Sequence, residues 1–365
     1  MPTARERLSW LLRPAGGGLY LVSTGKREQQ ALQRRFYAAD TEEDVTHAFE
    51  LTLDRIKDAN VVVLGIPSDV GAGFRRGANL GPQAIRTQLL ADDPDWAPHC
   101  ERRGILDVGD VFVVPQLLSD EMLAPSQLAS AREALYPDLP PELRAQQPVS
   151  PLSIAEHALG LMLEINPNLK PFILGGDHSC AWPVVKALHA RGRRFCIVQP
   201  DAHTDLMPQR LGIEICFATW SYHANELLGR QGRMIQVGVR ASQRPKDHWE
   251  ETLDVRQLWA DEILRSPNAA LERTLALVKE TKLPVYFSND IDGTDSRFAD
   301  ACGTPEPDGL DVTWVRELIS RLGRECGLVG GDVMEVAPLL GMDGGAGTVK
   351  VAATYARDTL DALAR

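Results

Sequence analysis

From residue 61 onward one theme recurs: a short run of β-branched or apolar residues, a loop carrying Gly, Asp or Pro, then a stretch whose apolar residues return every three or four positions. The runs at 61–66, 171–174, 195–198, 234–239, 284–287 and 327–329 are short and apolar on both alternating sides, so each reads as a strand buried on two faces. Segments 154–165, 182–189, 271–279, 313–324 and 348–363 carry the helical period. Alternation of this kind is the signature of an α/β fold, a mostly parallel sheet covered by helices on both faces. In such folds ligands bind beyond the carboxyl ends of the strands, where the loops converge.

The remaining segments add little to this frame. Between 115 and 151 seven prolines and one short helical stretch, 126–135, describe a surface excursion rather than a domain boundary. With no repeat of fixed period, the economical organisation is one domain over 59–365 preceded by an N-terminal arm over 1–58. The arm's first 35 residues are basic but lack the apolar core of a secretory signal, so it is expected to pack on the body or on a neighbouring subunit. Six cysteines form no C-x-x-C pair and no zinc or disulfide spacing, which points to a reducing, cytoplasmic setting. A formal net charge of −11 argues against nucleic acid as a partner. No apolar run approaches the roughly 18 residues of a membrane span, so none is expected.

Four of the strands run into acidic or imidazole groups. Gly175-Gly176-Asp177-His178 follows the run at 171–174, and Asp201-Ala202-His203-Thr204-Asp205 follows the one at 195–198. Ser288-Asn289-Asp290-Ile291-Asp292 and Gly330-Gly331-Asp332-Val333-Met334-Glu335 follow the last two. In extended chain alternate residues point the same way, so Asp201, His203 and Asp205 form one set of ligands, and Asp290 with Asp292 another. His178 adds a sixth group after two glycines. A single Asp after a strand is ordinarily a cap or turn residue; the joint pattern, with two of only 8 histidines in such loops, is what departs from that. Four carboxylates crowded together do not all stay ionised without a compensating cation. A pair of divalent ions about 3.5 Å apart, sharing carboxylates, is the natural one. The oxygen-rich donor set suits Mn(II) best, with Zn(II), Ni(II) and Fe(II) also compatible.

These residues resemble the three metal-binding signatures of the ureohydrolase family, which includes arginase, agmatinase, guanidinobutyrase and formiminoglutamase. The likeness covers roughly 60–360 and is nearest the agmatinase branch; it takes in Gly81-Pro82-Gln83-Ala84-Ile85-Arg86, Gly303-Thr304-Pro305-Glu306 and Asp332-Val333-Met334-Glu335. It implies a three-layer α/β/α sandwich with a mostly parallel, eight-stranded sheet, two Mn(II) per chain and a homotrimer or homohexamer. One metal would be held by His178, Asp201, Asp205 and Asp290, the other by Asp201, His203, Asp290 and Asp292. The implied reaction is hydrolysis of a small cationic guanidino compound to urea and an amine. Glu335 matches the substrate-binding glutamate, and Asp205 is the expected proton carrier to the leaving nitrogen.

The resemblance also has gaps. The histidine that the family carries after its second signature is missing from Glu214-Ile215-Cys216-Phe217-Ala218-Thr219-Trp220. Cys216 is expected in its place and is taken as a catalytic candidate, with His223 as the alternative; Trp220 and Tyr222 are expected to narrow the pocket or stack on a guanidinium, unless they belong to the core. Two rivals accompany this reading. One keeps the chemistry but changes the substrate, to free guanidine or a formimino compound. The other is a catalytically silent subunit of a mixed oligomer. No phosphate loop, nucleophile elbow or H-E-x-x-H helix is present.

Overall fold

Alternate residues of the apolar strands enter two separate cores, which is what places helices on both faces of the sheet. In the computed structural model, which describes residues 2–365, Val62, Leu64 and Ile66 pack with Leu159 and Val184 on one face. Val61 and Val63 pack with Ile85 and Leu89 on the other. Ile173 and its neighbours Phe172 and Leu174 divide the same way. Helices Pro151–Ile165 and Trp182–Ala190 cover the first face; Gly81–Asp92, Pro267–Thr281, Val312–Glu325 and Ala346–Leu363 cover the second. The result is the expected three-layer α/β/α sandwich.

The strands are β1 (Leu12–Arg13), β2 (Val61–Ile66), β3 (Ile105–Val111), β4 (Lys170–Gly175), β5 (Cys196–Pro200), β6 (Met234–Val239), β7 (Arg256–Trp259), β8 (Val285–Asp290) and β9 (Leu328–Met334). They form one sheet in the order β1-β3-β2-β4-β9-β8-β5-β6-β7. All neighbouring pairs are parallel except β1 with β3. Among the described residues the sheet therefore has nine strands, not the eight expected. The extra one is the two-residue β1, where Leu12 pairs with Val111 directly after helix Ala4–Leu11, and two residues carry no period to read.

Residues 4–54 are mainly helical. Helices Ala4–Leu11 and Glu42–Asp54 each begin with a reciprocal cap, Thr3 with Glu6 and Thr41 with Asp44. Their Leu8, Leu11, Phe49 and Leu53 lie in the same core as Val62 and Leu159. In the proline-rich stretch, helices Pro125–Leu135 and Pro141–Arg144 bury no side chain of their own. That stretch is tied down where the buried Tyr136 hydroxyl donates to the Pro148 carbonyl at 2.6 Å. Among the described residues no helix is long and apolar enough to cross a membrane.

What the fold does for the site is set by the middle of the sheet. β4, β9, β8 and β5 are adjacent and parallel, so their carboxyl ends open on one edge. His178, Glu335, Asp290 with Asp292, and Asp201 with His203 and Asp205 follow those four ends in turn.

Candidate metal centre

Gly176 brings β4 to the site at the closest approach a backbone allows: a Cβ there would sit 1.7 Å from the Ser68 carbonyl oxygen. Asp177 then caps the short helical turn His178–Ala181 by accepting from Ser179 N and Gly71 N, both at 2.9 Å, so it is spent on the backbone. His178 is fully buried and has two differently occupied nitrogens. Nδ1 lies 2.9 Å from Asp290, 3.4 Å from Asp201 and 3.5 Å from Asp205. Nε2 lies 3.0 Å from Ser288 Oγ, and that hydroxyl donates to Asp332 at 2.9 Å. With its proton committed to Asp332, Ser288 accepts from Nε2–H, so Nδ1 is the ring nitrogen turned to the carboxylates and the one that would meet an ion there.

The remaining side chains converge on the same spot. Asp201 is anchored by Gln199 Nε2 and by the backbone N–H of His203, both at 2.6 Å. His203 Nδ1 is 3.1 Å from Asp292. Asp292 also accepts from Ala202 N at 3.1 Å and Thr304 Oγ1 at 3.0 Å. Two groups have ligand atoms that lie within 4.8 Å of one another: His178, Asp201, Asp205 and Asp290, and Asp201, His203 and Asp292. Asp201 is common to both; Asp290, expected in both, falls in the first.

The electrostatics favour cations. Among the described residues no Lys or Arg pairs with Asp201, Asp205, Asp290, Asp292 or Glu335; only His178 and His203 do so. Burial, and then the charge of Asp201, pushes Asp205 well above the usual carboxylate range; burial, then Asp292 and Asp201, does the same to Asp290. Burial also opposes the charge on Asp201, but hydrogen bonds from His178 and His203 outweigh it and hold this carboxyl below the usual range. His203 is carried up to about 12 by Asp292 and Asp201 despite its burial. Fully ionised, the four aspartates would carry more negative charge than two imidazoles can balance, and the oxygen and nitrogen donors of the cluster suit two divalent ions.

A cavity of about 550 Å³ opens above the cluster, with His203, Asp205, Thr304 and Glu335 in its wall. Glu335 is 6% exposed; its Oε1 accepts from His178 N at 2.9 Å, and Oε2 lies beside Gly303. Burial, then the charges of Asp290 and Asp177, pushes its carboxyl well up. The structure places three of the remaining candidates as follows. Cys216 is not in this wall; it lines a neighbouring cavity, and the residue turned into the wall is Phe217. Trp220 is fully buried beneath the cluster, its ring 4.5 Å from that of His178 and its Nε1 donating to Asp205 at 3.2 Å. It braces His178 and Asp205 from below and is not in the cavity wall. His223 Nε2 is 3.0 Å from the Glu214 carbonyl and 3.2 Å from that of Pro208, so it ties down a loop outside the wall.

A sequence profile described as the Arginase family matches residues 59–361. The chain belongs to the arginase family. Among its relatives, Pseudomonas aeruginosa guanidinobutyrase is 28% identical over 284 residues, 75% of this chain and 78% of that protein. Chromobacterium violaceum agmatinase is 30% identical over 296 residues, 78% of each. The solved structure of Streptomyces clavuligerus proclavaminate amidinohydrolase matches with a TM-score of 0.64 at 27% identity, covering 84% of this chain and 92% of that one. Arginase-family membership makes the chain a hydrolase of amidine carbon–nitrogen bonds, from a family that depends on a binuclear metal centre.

Several supporting residues in this arginase-family site were not singled out from the sequence: Gln199, Thr304, Phe217, and Ser288 with Asp332 in their roles behind His178. Thr304 had a signal in Gly303-Thr304-Pro305-Glu306. Phe217 had none, because aromatic residues are most often core.

Proposed function

We propose that the chain hydrolyses a guanidino compound to urea and an amine, one water being consumed and the substrate's carbon–nitrogen bond broken. The observation that carries this reading is Glu335, a buried carboxylate outside both ligand groups that shares one cavity wall with His203 and Asp205. A generic binuclear site has no need of it; a planar cation with paired N–H donors does.

His178, Asp201, Asp205 and Asp290 would hold one divalent ion, and Asp201, His203 and Asp292 the other, with Mn(II) favoured by the oxygen-rich set. Such a pair, when bound, supplies a water activated for attack near neutral pH. The chain's own residues do the rest. The His178 N–H fixes the carboxylate plane of Glu335, which leaves lone pairs on both oxygens for a guanidinium and holds its carbon over the cluster. Asp205, braced by Trp220 and facing the cavity, carries the proton to the leaving nitrogen. Phe217 supplies no proton path, so this task stays with Asp205. We further propose a cytoplasmic homotrimer or homohexamer.

Urea release by protein loaded with Mn(II), over a panel of guanidino compounds with formamide assayed in parallel, tests the reaction. Urea from at least one compound supports it. Formamide alone would move the substrate to a formimino compound, and neither product would leave a silent subunit.

A further inference from the structure

The floor and the mouth of the cavity carry opposite charge. Asp205 and Glu335 are the carboxylates in its wall, both at the cluster end. The mouth is formed by three loops that each bring one arginine: Arg75 after β2, Arg210 after β5 and Arg244 after β6. Elsewhere in the molecule comparable arginines are engaged. Arg86 pairs with Asp107 and Asp110, and Arg240 donates to the carbonyls of Asp292, Gly293, Glu306 and Pro307. The guanidinium groups of Arg75, Arg210 and Arg244 have no carboxylate or carbonyl partner among the described residues. The Arg210 guanidinium carbon lies over the Phe217 ring, 4.8 Å from its centroid. Arg244 sits in a turn held by Ser242, whose hydroxyl donates to the Arg244 carbonyl at 2.7 Å and accepts from Trp249 Nε1 at 3.0 Å. Arg75 is half-buried, and its carbonyl and Glu335 Oε2 flank Gly303, 3.2 and 3.8 Å from where a Cβ would stand. Three unpaired cations at one opening stand out in a chain of net charge −11.

We infer that the substrate is an ω-guanidino carboxylate, with its guanidinium on Glu335 and its carboxylate among Arg75, Arg210 and Arg244. The head-group half of this assignment rests on the function proposed above; the tail half rests on the arginines. Guanidinium–carboxylate pairs are bidentate and directional, so the mouth selects as well as attracts. A guanidino compound ending in an amine meets like charge there and is disfavoured. The products are urea and an ω-amino acid.

The test compares three guanidines of matched length on the Mn(II)-loaded protein: 4-guanidinobutanoate, butylguanidine and (4-aminobutyl)guanidine. The expected order of kcat/KM is carboxylate, neutral, amine, with the first two separated by about tenfold, and the gap narrowing as salt rises toward 1 M. In the triple variant Arg75→Gln, Arg210→Gln, Arg244→Gln the ratio should collapse toward one, whereas Arg76→Gln, outside this wall, should keep it. Equal use of the amine and the carboxylate, or a triple variant that retains the preference, would overturn the tail assignment while urea production stands. If none of the three yields urea, the head-group reading fails instead. Calorimetric titration of the same protein with 4-guanidinobutanoate and butylguanidine then decides the tail: tighter carboxylate binding supports it, and equal or absent binding overturns it.

Discussion

Asp205 and Glu335 share an uncommon backbone: φ is +51° at the first and +65° at the second, in the left-handed region that costs a non-glycine residue about 1–2 kcal/mol. Both carboxylates face the cavity, and in both the surroundings hold the conformation, through Trp220 in one case and the His178 N–H in the other. Because Glu335 belongs to neither ligand group, Glu335→Gln should keep two ions per chain by elemental analysis. It should lower kcat/KM on the best guanidino substrate by roughly a hundredfold, about 2.7 kcal/mol, since the amide adds donors that oppose guanidinium N–H groups. Full activity in that variant would remove it from the site. Phe217 and Cys216 separate in the same assay: Cys216→Ala is expected within about twofold of the parent, and Phe217→Ala is expected to shift KM by several-fold because only Phe217 lines the wall and carries Arg210. The reverse result would restore Cys216 to the place the family histidine takes. The proposed ligands were legible because acidic and imidazole groups crowd directly after the strand ends, although the chain is not extended there: Asp205 is left-handed and Asp292 lies in the short helical turn Ile291–Gly293. The wall was not, because the loop between Asp205 and Trp220 turns through left-handed residues at Leu211 and Gly212, and counting positions along it does not say which side chain faces in.

β3 shows how an element can hide in a sequence. Its Ile105–Val111 stretch carries Asp107 and Asp110 and does not read as a buried strand, yet it sits between β1 and β2 with Asp110 1% exposed. The missing information is on another element: Arg86 from helix Gly81–Asp92 reaches Asp107 through Nε and Nη2 at 2.8 and 2.9 Å and also binds Asp110. The strand is apolar only in company with that arginine. Arg86→Met should therefore destabilise the fold by roughly 3–5 kcal/mol in urea titration, since it leaves buried carboxylates without their cation. The loss should depend on pH in a definite sense. Burial already holds Asp107 above the usual carboxylate range even against the pull of Arg86, and removal of the guanidinium raises it further. Between the unfolded value of about 3.9 and that raised folded value the folded variant binds a proton the unfolded chain has released, so its stability falls as pH rises through this window. A deficit that is the same at acidic and neutral pH would count against the pairing. By contrast β2, β4, β5, β6, β8 and β9 were legible because both their faces are apolar and each ends in a loop. The N-terminal helices were passed over because their apolar residues are few and sparse among charged ones, although Thr3 with Glu6 is a start signal.

At the scale of the whole molecule, the fold and the cluster depend on each other. The four strands that deliver the proposed ligands and Glu335 are the middle of the sheet, and both hydrophobic cores close over them, so the carboxylates are held together by nearly every packed layer. Without cations that packing works against the repulsion among Asp201, Asp205, Asp290 and Asp292, which burial leaves unscreened. An ion that binds only the folded state adds about 2.7 kcal/mol at a free concentration of one hundred times its Kd, and two sites add separately if they are independent. Removal of metal with a chelator should accordingly lower Tm, and Mn(II) should restore it in two equivalents. The shared ligand makes the pattern specific. Asp201→Ala removes a donor from both groups and should abolish most of the response to Mn(II), whereas His203→Ala touches one group and should leave about one equivalent bound. An unchanged Tm on chelation of a preparation shown to contain two ions would mean that the cluster is not where they bind.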